Sequence, residues 1–134
     1  MFVMSQGPLP AMDFGFPDVC KTPVGPVVVP IPYPNIAMAP TAVPSQTKVL
    51  VMCMPAHNMM TMTPLSMGDN AGVLMGMVSQ TDALTSAPAF GSTNLIVGVA
   101  PATKLTTPTK QNGICPNAPG VKIAPSEVIM MSMR

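Results

Sequence analysis

Proline and glycine limit what this chain can fold into more than any other feature of its sequence. The 134 residues include 18 prolines and 10 glycines, and both types are spread along the whole length. Proline lacks a backbone N–H and clashes within a helix, whereas glycine weakens helices through its conformational freedom. Long helices are therefore excluded, and we expect short extended segments joined by turns.

Short apolar runs between these turn residues are typical of β-strands. The runs are rich in Val, Ile and Met and occupy residues 27–31, 49–54, 73–78, 95–99 and 128–133. Runs of this length bounded by Pro, Gly, Asn and Ser predict strands. We expect a mainly β fold with few helices, in a single domain over residues 1–134 with one core. Within it, residues 1–16 are interpreted as a loosely ordered N-terminal extension.

The segment PVVVPIPYPNIA, residues 26–37, has proline at every second position from Pro30 to Pro34. Because proline cannot donate to a sheet ladder, we expect an extended edge or wrapping segment with a polyproline-like path instead of a regular strand. Tyr33 is expected to pack on the core, with its hydroxyl bonded to the backbone.

A weak internal echo relates two parts of the chain. Residues 48–59 and 94–105 both read as an apolar strand, then Pro-Ala, then polar residues, with Pro55 and Pro101 at the same relative place. The echo predicts two pseudo-repeated hairpins.

Charged residues make up only 8% of the chain, and the net charge is +1. Scattered cations do not suit nucleic acid, which requires a clustered basic surface. Because this number of charged side chains is too small to cover the surface of a domain of this size, we expect a partner to cover part of the apolar surface. The longest uncharged stretch, residues 22–47, contains seven prolines and is not expected to insert in a membrane. No basic leader of a signal peptide is visible, which indicates synthesis in the cytoplasm.

The cysteines and the single histidine are the best chemical signal. Cys20, Cys53, His57 and Cys115 are the right number of ligands for one closed zinc site, although their spacing is not that of a zinc finger. No paired acids or nucleotide-binding motif is present, so we expect no enzyme. A thiol enzyme using Cys53 or Cys115 with His57 stays an alternative. Asp69, in the GDNAG segment at residues 68–72, is interpreted as part of a structural turn.

Methionine is unusually frequent, at 15 residues. Flexible methionines fill irregular gaps in cores, and we expect Met52, Met54 and Met130 to pack inside. The clusters at residues 52–54 and 59–62 also resemble soft Cu(I) ligands. A Met- and Cys-rich copper carrier with several exposed methionines is therefore the alternative function.

Four segments together resemble one known family. PDVCKTP at residues 17–23, PVVVPIPYPNIA at 26–37, GDNAG at 68–72 and QNGICPNAPG at 111–120 are similar to segments of the PAAR-like domains of bacterial type VI secretion systems. They follow the family's order and span most of the chain.

The resemblance implies a small tapering cone of short strands and hairpins. Its base would cap the trimeric valine-glycine-repeat spike protein, one copy per trimer, and its point would lead when the needle punctures a target cell and delivers effectors, with adaptor proteins as further partners. The protein would leave the cell with the needle. Related proteins bind zinc near the point through three histidines and one cysteine. Cys20 matches that cysteine, but His57 is the only histidine, so Cys115 and Cys53 would have to complete the predicted site for one zinc ion.

Overall fold

The computed structural model describes residues 1–133, and the fold is mainly β, as predicted. Within that range the helical structure is one 3-10 turn, Ala39–Thr41, and no helix is long and apolar enough to span a membrane. The ten strands are β1 (Met12–Val24), β2 (Val27–Met38), β3 (Leu50–Val51), β4 (Met54–Pro55), β5 (Ser66–Met67), β6 (Ala87–Pro88), β7 (Ile96–Val97), β8 (Ala100–Pro101), β9 (Pro108–Gln111) and β10 (Ala118–Lys122).

The two long strands, β1 and β2, form one antiparallel hairpin. Val24 pairs with Val27, so the turn between them is Gly25-Pro26, and Gly25 takes the positive φ of +63° that glycine favours. The pairing continues to Met12 and Met38, interrupted by an irregularity between Gly15 and Asp18. The proline-rich segment is therefore a paired strand, and the expectation of a polyproline-like path was wrong.

The positions of the prolines explain how the strand tolerates them. Pro30 and Pro32 stand opposite Lys21 and Val19. The Lys21 N–H donates to the Met75 carbonyl and the Val19 carbonyl accepts from Met77, so these backbone groups of β1 point away from β2. By the symmetry of an antiparallel ladder, the two prolines also face away from the shared ladder and remove no bond from it. The edge character was predicted correctly, since β5 pairs with β2 only at Ile36 and Ala37.

Six strands form a sheet in the order β5-β2-β1-β10-β9-β6. The two ends of this sheet approach each other, because Thr63 forms a bridge with Ser86 and the Ser66 N–H donates to the Leu84 carbonyl. The sheet therefore curls back on itself, which agrees with a small β cone.

Polar groups fill the inside of the curled sheet. Lys122 and Asp13 form a buried ion pair, with 2.7 Å between Nζ and Oδ1, and the Ser86 hydroxyl donates to the other Asp13 oxygen. Gln111 is fully buried against Gly15, where an added Cβ would lie 2.6 Å from the Gln111 Cγ. Glycine is needed at this position because a larger residue would displace Gln111.

The internal echo is confirmed as two matching hairpins, β3–β4 and β7–β8. Leu50 pairs with Pro55, and Ile96 pairs with Pro101 in the same register. The first hairpin turns through Met52 and Cys53, both at positive φ, and the second turns at Gly98. Residues 73–78 instead form turns with a single bridge, from Gly76 to Cys20, so the predicted strand there was wrong.

The N-terminal residues are not a loose extension. Val3, Met4 and Ser5 are fully buried, and Phe2 forms a bridge with Met131 from the C-terminal run. The expectation of loose order for residues 1–16 is corrected, because Val3 and Met4 each belong to a cluster of buried apolar side chains.

Tyr33 is half-buried, and its hydroxyl lies 2.8 Å from the Thr22 hydroxyl. Its hydrogen-bond partner is thus a side chain across the hairpin and not the predicted backbone group.

Candidate functional site

Three backbone hydrogen bonds close a ring between three separate segments of the chain. The His57 N–H donates to the Met4 carbonyl (2.8 Å), the Thr103 N–H to the His57 carbonyl (3.0 Å), and the Met4 N–H to the Thr103 carbonyl (2.9 Å). Each of the three residues donates once and accepts once, so no segment is distinguished from the other two.

The neighbouring β-bridges repeat the same relation. Ser5 pairs with Ala56, Asn58 with Ala102, and Lys104 with Val3. In each case the third residue of one segment pairs with the first residue of the next. The segments 3–5, 56–58 and 102–104 are therefore related by an approximate three-fold axis, and we call them the three-fold base.

A third pair of extended segments, residues 2–3 and 130–131, completes the symmetry, and we call it the third hairpin although no turn joins its two segments. The Ala56 N–H donates to the Val49 carbonyl, the Ala102 N–H to Leu95, and the Val3 N–H to Met130. The last of these hairpins joins the two ends of the chain, with the N-terminal ammonium bonded to the Ser132 carbonyl at 2.9 Å. Its strands are not adjacent in sequence, which is why the sequence echo revealed only two copies.

The three segments and the hairpins attached to them share an apolar core and an apolar rim, which we include in the three-fold base. Its core consists of Val3, Val51, Ala56, Val97 and Ala102, with Leu95 and Met130 packed against them. Outside, Leu50, Ile96 and Met131 stand at equivalent hairpin positions and are 54%, 68% and 56% exposed. An apolar surface with three matched positions is the geometry needed to contact a three-fold symmetric partner.

The four predicted zinc ligands do not come together. Cys53 is exposed in the β3–β4 turn, and Cys115 is exposed between β9 and β10. His57 is buried in the three-fold base, and no cysteine lines the cavity beside it. Burial, and secondly the Lys122 charge, lowers the pKa of His57 to about 3. The number and type of the candidate ligands could not reveal that the backbone of His57 belongs to the hydrogen-bonded ring of the base, away from Cys20.

Cys20 instead lies in a buried group with two carboxylates. One ligand atom each from Asp18, Cys20 and Asp69 lie within 4.8 Å of one another, and all three residues are buried. Burial raises the pKa of the Cys20 thiol to about 12, and the charge of Asp18 adds to the effect. This group and the asparagines bonded to it are called the motif cluster.

Three asparagine amides surround Asp18. The Asn35 and Asn112 amides donate to its Oδ2 at 2.8 and 2.6 Å, and the Asn117 amide donates to its Oδ1. Asn112 also donates to Asp69 Oδ2 at 2.5 Å. Asp18 therefore accepts hydrogen bonds from two separate parts of the chain, strand β2 and the segment 112–117.

The asparagine carbonyls extend this network into the loops. Asn112 Oδ1 accepts from the Leu84 N–H at 3.0 Å, and Asn117 Oδ1 from the Val78 N–H at 2.9 Å. The residue types Asp and Asn suit this role because their short side chains bond neighbouring backbone groups. The cluster thus holds together loops that have little regular secondary structure.

The four segments that carry the family resemblance all contribute to the motif cluster. PDVCKTP supplies Asp18 and Cys20, PIPYPNIA supplies Asn35, GDNAG supplies Asp69, and QNGICPNAPG supplies Asn112 and Asn117. Sequence reasoning missed Asp69 and the asparagines because each is typical of a turn when considered alone. Their presence in all four segments was the signal that could have identified them.

Glycines in GDNAG allow the close approach. A Cβ added to Gly72 would lie 2.1 Å from the Cys20 Cβ, and one added to Gly68 would lie 2.2 Å from the Pro34 carbonyl oxygen. Gly68 also has φ of +125°, which glycine alone adopts readily. The segment therefore does form a tight turn, as predicted, and that turn delivers Asp69 to Cys20.

The donor set of the motif cluster could hold a metal ion. A thiol and two carboxylates are ligands that zinc and similar metals accept. Asp69 is fully buried and its Oδ1 has no hydrogen-bond partner. Burial and the charge of Asp69 also raise the pKa of the adjacent Asp82. Within residues 1–133 the one ion pair joins Lys122 to Asp13, so no lysine or arginine pairs with these carboxylates.

Comparison with known proteins identifies one family. A family model described as the Toxin PAAR-like domain matches residues 11–120. No match was found among curated proteins or among solved structures. The matched range contains every residue of the motif cluster and two of the three segments of the three-fold base in full.

Proposed function

We propose that this chain, which belongs to the Toxin PAAR-like domain family, caps the trimeric spike of a type VI secretion system. Membership of that family supports a spike-associated role in general. The single observation that carries the proposal is the three-fold base. Its ring of Met4, His57 and Thr103 gives one chain an approximate three-fold axis. One copy can therefore present equivalent surfaces to three identical spike subunits.

The surface chemistry of the base favours this partner. Leu50, Ile96 and Met131 are apolar, exposed and matched in position, and Val99 at the β7–β8 turn is 87% exposed. A stable complex would cover these side chains and gain the free energy of burying them. The need for such a cover also explains why the chain folds with so few charges.

The proposed role needs no catalysis. The thiol-enzyme alternative requires an imidazole beside Cys53 or Cys115, whereas the cavity at His57 contains neither. A low pKa also keeps the buried His57 neutral, so it cannot provide the cation that activates a cysteine. These features support a structural role.

Delivery is the further part of the proposal. The protein would be made in the cytoplasm, leave with the needle, help it to puncture the target cell, and carry effectors loaded directly or through adaptors. Support comes from the family match together with a network of side-chain hydrogen bonds at the motif cluster, which ties loops 66–84 and 112–117 to the hairpin. Such cross-links suit a part that must resist mechanical load.

Stoichiometry tests the docking proposal directly. We expect the purified chain to be monomeric and to bind a trimeric valine-glycine-repeat spike protein as one chain per trimer. Light scattering coupled to gel filtration measures both masses. Three chains per trimer would contradict a shared three-fold axis, and no complex at all would contradict the docking role.

Zinc in the motif cluster is also part of the proposal. Cys20, Asp18 and Asp69 would be its ligands, and the bound ion would neutralise buried negative charge and join loops of the chain. We expect about one zinc per chain by elemental analysis, falling to near zero in Cys20→Ser and in Asp69→Asn.

Matched controls separate this site from the one predicted by residue type. Cys53→Ser, Cys115→Ser and His57→Gln should each leave the zinc content unchanged, because these residues lie outside the motif cluster. Loss of zinc in any of these three variants would show that the assignment is wrong.

One observation favours the copper carrier as a second candidate. The side chains of Met52 and Met54 are 45% and 40% exposed, and those of Met60 and Met62 are 58% and 48% exposed. The prediction that Met52 and Met54 pack inside was therefore wrong, whereas Met130 does pack against the core. A copper carrier predicts exposed methionines, whereas a spike cap predicts methionines that are buried or covered by its partner.

Met52→Leu distinguishes the candidates. If the protein is a spike cap, we expect no Cu(I) uptake by the wild type or by Met52→Leu. The substitution should change the free energy of unfolding by less than about 0.5 kcal/mol, since the side chain is largely exposed. Titration with Cu(I) and urea denaturation measure the two quantities. Tight Cu(I) binding that weakens in Met52→Leu would establish the carrier instead.

A further inference from the structure

A small cavity lies between the three-fold base and the curled sheet. His57 and Thr103 line it from the base, the Asp13–Lys122 pair lines it from the sheet, and Thr61, Thr63 and Ser86 complete the wall. Its volume is about 10 Å³, close to the roughly 10–15 Å³ needed to hold one water molecule. The cavity is thus too small for an organic ligand, and its walls are mostly polar.

One atom in its wall lacks a partner. His57 is 2% exposed, and its Nε2 makes no hydrogen bond within the protein. The backbone of His57 is fixed in place, because its N–H and its carbonyl both take part in the hydrogen-bonded ring of the base. Buried polar atoms in native proteins are nearly always hydrogen-bonded, to protein or to ordered water.

Lys122 lines the same cavity and provides complementary hydrogen-bond donors. Its ammonium has three donors, and its one hydrogen bond in the structure goes to Asp13 Oδ1 at 2.7 Å. The hydroxyls of Thr63 and Ser86 line the same space. A water molecule there would find the two to four polar partners that internal waters require.

We propose that this cavity binds one internal water molecule, which donates to His57 Nε2 and accepts from Lys122 Nζ. The water would connect the base to the ion pair inside the curled sheet. The inference concerns the folded chain alone and is independent of the spike-docking role. It also gives a reason why position 57 is a histidine, while the equivalent ring positions hold Met4 and Thr103.

Oxygen-17 magnetic relaxation dispersion tests the proposal, because it counts waters that stay bound for longer than nanoseconds. The wild-type protein should show one more long-lived water than His57→Leu, which removes the polar atom. Met4→Leu is the matched control, since it changes the equivalent ring residue without touching the cavity, and it should keep the wild-type count.

Two results would overturn the proposal. One is an equal count of long-lived waters in the wild type and in folded His57→Leu. The other needs no variant, and so holds even if His57→Leu fails to fold: a high-resolution crystal structure of the wild type without density between His57 Nε2 and Lys122 Nζ. Density at that position, together with the lower count in the variant, would support it.

Discussion

Replacing Asp18 with alanine should reduce the free energy of unfolding by about 3–5 kcal/mol, the range for removing one partner from a buried charged network. The carboxylate accepts from Asn35, Asn112 and Asn117, and the variant would leave these three amides, of which the first two are fully buried, without their shared acceptor. Urea denaturation followed by circular dichroism measures the loss. It should be carried out with and without a chelator, so that any metal contribution is separated from that of the hydrogen bonds.

Two companion variants sharpen this test. Asp18→Asn keeps the shape of the side chain but turns one acceptor into an NH₂ donor facing other donors, so we expect nearly as large a loss. Asp82→Asn removes a carboxylate whose pKa is raised by burial and by Asp69, and it should be neutral or slightly stabilising. If Asp18→Asn were as stable as the wild type, the carboxylate would not be what holds the loops together.

Ile96→Asp should weaken binding to the trimeric spike protein by about 100-fold, or about 2.7 kcal/mol. Ile96 is 68% exposed on the rim of the three-fold base, so the substitution should leave the isolated chain folded. In the complex the new carboxylate would be buried against an apolar surface without a partner, which is unfavourable. Surface plasmon resonance with immobilised spike trimer measures the change.

The symmetry of the base provides the controls. Leu50→Asp and Met131→Asp change equivalent positions and should weaken binding to a similar degree. Ile114→Asp changes a side chain that is 96% exposed in the loop between Asn112 and Asn117, at the motif cluster, and should not affect binding. Equal weakening by Ile114→Asp would place the interface elsewhere.

The parts of the fold that were predictable from sequence are those set by local chemistry. The hairpins β3–β4 and β7–β8 follow from apolar runs interrupted by turn residues, with Pro55 and Pro101 in the same register. The third hairpin escaped prediction because its strands come from opposite ends of the chain. A pairing between Phe2 and Met131 leaves no local pattern, since no turn connects them.

The candidate site was only partly predictable for the same reason. Cys20, predicted as a metal ligand from its residue type, lies in the buried cluster, whereas Asp69 reaches it through a turn 49 positions later and Asn112 through another loop. Residue type alone favoured His57 and the other cysteines. These residues do not form one site in the folded chain, because Cys53 and Cys115 are exposed whereas His57 lines a cavity with threonines and Lys122.

The outward-facing prolines of β2 bear on how the protein behaves when crowded. An exposed strand edge invites a strand of another molecule, and the danger of aggregation grows where few charges repel neighbouring copies. Pro30 and Pro32 have no N–H to offer at that edge, although Val27, Val28 and Val29 beside them are exposed and apolar. Two missing donors along this edge therefore make it a poorer template for intermolecular sheets, in a chain with few charges to keep copies apart.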